Sequence, residues 1–125
     1  MILKVLNKTR DISVLIWVGL CILAIARFAS ISGERTFQYD EWNFVLNRWQ
    51  LSLDTFLQPH NSHLSIFPAA VFLFLLRAVG LANYWVYLFA GFLMHIATAS
   101  TFALLISKRL GKTCAIALGA LFLFL

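Results

Sequence analysis

Apolar and polar positions along this chain are grouped in long blocks. Ile12–Ala26 carries no charge and Phe28–Ile31 prolongs it past Arg27, giving the roughly 20 residues a membrane-crossing helix requires. Tyr84–Ser107 is a second uncharged block and predicts a second span. A third apolar run, Thr113–Leu125, stops after 13 residues, short of a span. We therefore expect spans over about 12–32 and 84–107, an incomplete one over 113–125, and a chain that forms the N-terminal part of a longer protein.

Residues 33–83 have a different pattern. Trp42, Val45, Leu46, Trp49 and Leu53 follow helical spacing and predict an amphipathic helix over Asp40–Leu53. Asn43, Asn47 and Gln50 lie off that stripe, while Phe44 and Leu51 break it. Two tryptophans on one face suit the headgroup region, where an amphipathic ring is half wet. Leu64–Leu76 is apolar for 13 residues, with Pro68 in its first turn and Arg77 at its end. A run of that length predicts a helix lying on the membrane or re-entering it.

Composition supports a membrane class. The 125 residues are 62% hydrophobic and 12% charged, about half the charged fraction of a soluble domain. The fold expected is all-α: a polytopic membrane protein with an N-in span, an outer loop with two juxtamembrane helices, a second span and the start of a third. The net charge of +5 is no nucleic-acid footprint, because the basic residues sit at the ends of apolar runs and set orientation. Lys4, Lys8 and Arg10 precede the first span with only Asp11 opposing, and Lys108, Arg109 and Lys112 follow the second. Residues 33–83 hold three arginines against four carboxylates. Keeping Leu64–Leu76 out of the spanning set leaves both basic segments cytosolic and residues 33–83 outside. A cleaved signal peptide, with Ala24-Ile25-Ala26 as its small-residue site, is the alternative for the first block. Cys21 and Cys114 lie within apolar runs and read as small buried hydrophobes. Asn7-Lys8-Thr9 matches a glycosylation sequon but falls on the cytosolic side.

Candidate chemistry concentrates between Glu34 and His63. Ionisable residues against a bilayer are costly and mark function. Asp40 and Glu41 open the predicted helix, where an aspartate is a good N-cap and a glutamate in the first turn complements the helix dipole. Equally, a carboxylate at an apolar boundary can act as general base on a hydroxyl. Outside the cytosol, glycosyl transfer requires a lipid-anchored donor with a phosphate leaving group. Arg35, Arg48 and Arg77 are the cations that could steady it, or else they snorkel to headgroups. His60 and His63 are three residues apart and with Asp40 or Glu41 could ligate a divalent metal. Pro59 and Asn61 instead suggest a turn, with the histidines as substrate hydrogen-bonding or capping groups. His95, beside Thr98, reads as bundle packing. Ala115 and Gly119 form a small-xxx-small pair, a pattern too common to carry weight.

The order of these features resembles the GT-C glycosyltransferases, integral-membrane enzymes that include protein mannosyltransferases and the lipid A aminoarabinose transferase. In that family an acidic pair opens a juxtamembrane helix in the first extracytoplasmic loop, and its aspartate is the catalytic base. A second such helix and a span with a basic cytosolic end follow. Asp40-Glu41, Leu64–Leu76 and Ser107–Lys112 hold those places here. Gln58-Pro59-His60-Asn61-Ser62-His63 is similar to a Pro-His-Asn-x-His motif of a bacterial branch, which carries an acidic residue at Ser62 and an arginine at Leu64. The resemblance implies a sugar transferase of a bacterial-type plasma membrane, using a polyprenyl-phosphate-sugar donor and an extracytoplasmic acceptor. Asp40 and Glu41 would be catalytic, and Arg48, His60, Asn61, His63 and Arg77 substrate-binding. No metal site is implied, and the need for a divalent metal cofactor stays open. Two other classes fit the same pattern: a non-catalytic membrane subunit whose acidic loop is a docking surface, and a transporter component using Arg27 and His95.

Overall fold

A computed structural model describes residues 2–33, 35–48, 50, 52–59 and 63–125, with the side chains of 2–11 and of Asp40 left out. The chain is all-helical: α1 (Ile2–Ile31), α2 (Tyr39–Asn47), α3 (Leu53–Leu57), α4 (Ile66–Val79), α5 (Tyr84–Leu110) and α6 (Lys112–Phe124). Two helical segments are long and apolar enough to cross a membrane, Ile12–Ile31 and Tyr84–Leu110. At 1.5 Å per residue they are about 30 and 40 Å long. The apolar helices α4 and α6 are shorter, at about 20 Å each.

The chain divides into two compact units, residues 1–33 with 91–125, and residues 34–90. Helix α5 contributes its first turns to the second unit and the remainder to the first.

In the first unit α1 and α6 pack together, and α5 completes the bundle through side chains. Ala24, Ala99 and Leu123 are its buried centre, with Trp17, Leu20, Phe92 and Ile96 against them. Phe28 stacks on Phe92 with ring centroids 4.3 Å apart, and the Trp17 indole donates to Ser100 Oγ at 3.1 Å. Helix α1 runs unbroken through Ala24-Ile25-Ala26, and Ala24 is buried. Ala115, Gly119 and Leu123 form the buried face of α6. A Cβ on Gly119 would lie 2.8 Å from the Trp17 ring and 2.9 Å from Ala103 Cβ. The small-xxx-small pair that seemed uninformative thus lies on the helix contact, where a missing side chain lets backbones approach.

The second unit packs α2 and α3 on α4 around an aromatic cluster. Phe37 lies at its centre, 4.6 Å from Tyr84, 5.0 Å from Tyr87 and 6.1 Å from Phe72 between ring centroids. Phe44 stacks on Phe72 at 5.4 Å. The Tyr87 hydroxyl donates to the Gly80 carbonyl at 2.8 Å, satisfying the polar tip of a buried ring. Gly80 ends α4 at φ 68°, ψ −161° and Gly111 opens α6 at φ 83°, ψ 170°. Both lie in a region open essentially to glycine alone.

The helix expected over Asp40–Leu53 is interrupted. It ends at Asn47, and Ser52 starts α3 by accepting from the Thr55 amide at 3.2 Å. Its inward face also differs from the expected stripe. Phe44 is 9% exposed, whereas Leu46 is 72% and Trp42 41% exposed; Trp49 and Leu51 lie outside the described residues. The inward line is Phe37, Glu41, Phe44 and Arg48, spaced by four, three and four, with Glu41 half-buried and the other three buried. Charged residues on that line hid it from a hydrophobicity pattern.

Candidate functional site

The start of α2 is built around Glu41. Gln38 is the N-cap, in extended conformation at φ −118° and ψ 170°, and its amide donates to Glu41 Oε2 at 2.8 Å. Reaching back to the N-cap amide from the third helical position is one arm of a capping box. The Tyr84 hydroxyl lies 2.6 Å from Glu41 Oε1 and 2.7 Å from Oε2. The carboxylate therefore joins two segments 43 residues apart, and much of its accepting capacity is used. Tyr84 is the participant that sequence reading missed. Its position at the head of an apolar block reads as an interfacial anchor, and nothing local names Glu41 as its partner.

Asp40 is the second residue of α2, inside the first turn. The expected N-cap role belongs to Gln38, two residues upstream, because the helix starts at Tyr39. The side chain of Asp40 lies outside the described residues. A carboxylate in a helix's first turn is favoured by about 0.3–1 kcal/mol through the exposed amide dipoles.

Arg48 closes α2 as its C-cap. It is 1% exposed, its Nη2 donates to the Gln58 carbonyl at 2.7 Å, and its guanidinium lies 4.9 Å from the Phe44 ring centroid. Gln58 is itself the C-cap of α3, so one arginine clasps the ends of two helices. Nε and Nη1 are buried without hydrogen-bond partners. A guanidinium stays charged, and burying unpaired donors is costly. In this arrangement Arg48 holds the fold and is closed to a solute.

Arg77 is exposed in the last turn of α4 and its Nη1 donates to the Leu73 carbonyl at 3.3 Å. Arg35 is exposed and lies near enough to the Tyr84–Glu41 pair to act on it electrostatically. His63 is exposed; His60 and Asn61 lie outside the described residues. Among the described residues no group of three or more His, Cys, Asp or Glu could hold a metal ion. Along α3, Asp54, Thr55, Leu57 and Gln58 line an open groove of about 420 Å³.

In the first unit Arg27 and His95 line a common cavity of about 260 Å³ with Phe28 and Phe92. His95 Nε2 is 3.2 Å from the Leu123 carbonyl and its ring stacks on Phe122 at 5.4 Å. Thr98 does not meet it there, donating to the Met94 carbonyl of its own helix.

No family model, curated protein or solved structure matches the chain.

Proposed function

We propose that this chain is part of a GT-C-type glycosyltransferase that moves a sugar from a polyprenyl-phosphate carrier to an extracytoplasmic acceptor. One observation carries the reading: the N-cap position of α2, the task that competes with catalysis for Asp40, is occupied by Gln38. Glu41 is engaged by Tyr84 and the Gln38 amide, which fixes the start of the helix that carries Asp40. Asp40 is the base toward the acceptor hydroxyl, and Glu41 is a positioning residue that fixes the start of α2. Arg35 and Arg77 are the exposed cations of residues 34–90, suited to a phosphate leaving group. Arg48 acts through the fold. The basic segments at residues 4–10 and 108–112 support a cytosolic N-terminus and an extracytoplasmic placement of residues 33–83. Helix α4, at about 20 Å, is short for a span and suits the membrane surface.

Asp40→Asn in the full-length protein should lower transfer by about a hundredfold to ten-thousandfold, the usual worth of a general base. Its level in the membrane should stay the same. Undiminished transfer by the membrane-inserted variant sinks the assignment and leaves a docking subunit as the better reading. A transporter component is favoured by one feature, the shared cavity of Arg27 and His95. It predicts solute flux that Arg27→Gln removes and Asp40→Asn spares.

A further inference from the structure

A second, larger cleft in the first unit lies among α1, α5 and α6. It measures about 460 Å³, within the range of about 300–1,000 Å³ typical of ligand sites. Its walls are Val14 and Trp17 of α1, Ala103 and Leu104 of α5, and Ala115 and Ile116 of α6. Its polar residues are unevenly placed. Ser13, Ser107 and Lys112 stand at the end where α1 enters its apolar stretch, α5 finishes and α6 begins. At the inner end lies Ser100, whose hydroxyl accepts from the Trp17 indole; the walls between are apolar. Ser107 Oγ donates to the Leu104 carbonyl at 2.7 Å, and the Lys112 ammonium brings a positive charge and three N–H donors to the mouth. Lys108 and Arg109 lie in the last turn of α5 beside it.

From Ser107 to Ser100 the cleft follows α5 for about 10 Å, roughly a third of a hydrocarbon core of about 30 Å. An apolar slot of that depth, opening on a lysine within a basic cluster, matches a molecule with an oily tail and an anionic head. Basic pockets between membrane helices bind such headgroups. We propose that this cleft holds the upper part of one acyl chain of an anionic phospholipid, with the lipid phosphate at Lys112. The site depends on α1 and α5 lying in the bilayer and is independent of the transferase reading.

The test is titration of the delipidated full chain in detergent with phosphatidylglycerol or phosphatidylcholine of identical acyl chains, reading bound lipid by native mass spectrometry. Phosphatidylglycerol should be preferred about fivefold, the worth of one lysine near an anionic headgroup. Lys112→Gln should abolish the preference. Leu104→Trp, at an exposed position where a larger ring fills the slot, should abolish it while keeping every charge. Lys108→Gln with Arg109→Gln, outside the lining, should leave most of it. Millimolar inorganic phosphate should not displace the lipid. Equal binding of the two lipids overturns the proposal. So does a preference that survives Leu104→Trp, one that Lys108→Gln/Arg109→Gln removes while Lys112→Gln spares it, or displacement by phosphate. If Leu104→Trp fails to fold, Trp17 emission replaces that arm, measured with Trp42, Trp49 and Trp85 changed to Phe. Brominated phosphatidylglycerol should then quench Trp17 more strongly than brominated phosphatidylcholine, and equal quenching overturns the cleft.

Discussion

Among α1, α5 and α6 the enclosed residues are mostly small: Ala24, Ala99, Ala103, Ala115 and Gly119. Leu15, Ile22, Leu23, Leu104 and Leu105 of the same helices are each more than half exposed. In residues 34–90 the order is reversed, with Phe37, Phe44, Tyr87 and Leu73 inside beside a buried arginine. The first pattern suits helices surrounded by lipid. There, large apolar side chains gain nothing by leaving the solvent, and close backbone approach is what holds helices together. The second suits a wet boundary, where aromatic rings bury area and their polar tips still find partners. A single definition of a core would misread one of the two.

The contrast can be broken most forcefully in the aromatic unit. Phe44→Ala should cost about 3–5 kcal/mol, as for other buried phenylalanines. Leu46→Ala, two positions away and exposed, should cost almost nothing. Denaturation in detergent followed by tryptophan emission compares them, and equal losses would mean the expected stripe is the packed one after all. Tyr84→Phe removes a hydroxyl from a charged acceptor and should cost about 1.5–3 kcal/mol, seen as faster proteolysis within residues 34–90. In the small-residue unit, Gly119→Val meets the Trp17 ring and Ala103 and should cost about 1–3 kcal/mol through overpacking. Adding Trp17→Ala should recover part of that loss in the same melt. Among the substitutions expected to destabilise, Trp17→Phe should have the smallest effect. It loses the indole bond to Ser100 at about 0.6 kcal/mol, the average for hydrogen bonds between membrane helices.

Block hydrophobicity foretold the long helices well, because length and absence of charge suffice to define them. Tyr84–Ser107 differs from α5 by three residues at one end, and Thr113–Leu125 by one at each end from α6. α4 was expected at Leu64–Leu76 and spans Ile66–Val79. Pattern reading failed where burial and polarity part company. Phe44 seemed to break a stripe because Glu41 and Arg48, its neighbours on the inner line, are charged. The Glu41–Tyr84 bond was illegible for another reason: each residue had a sufficient local explanation, as a first-turn acid and as an interfacial ring. Local sequence leaves Asp40 open between cap and base because aspartate commonly caps helices, and the helix start at Tyr39 places Gln38 at the N-cap.

The glycines give the chain a mutational fingerprint. At Gly80 and Gly111 the backbone conformation excludes side chains, and at Gly119 the Trp17 ring does. The leucines nearby, Leu81, Leu110 and Leu121, are exposed and free to drift among apolar types. Under random substitution with selection for folding, three invariant columns should therefore remain at fixed intervals in a background of interchangeable hydrophobic letters. Such a ladder of intervals is a signature by which a far-diverged homologue could be recognised.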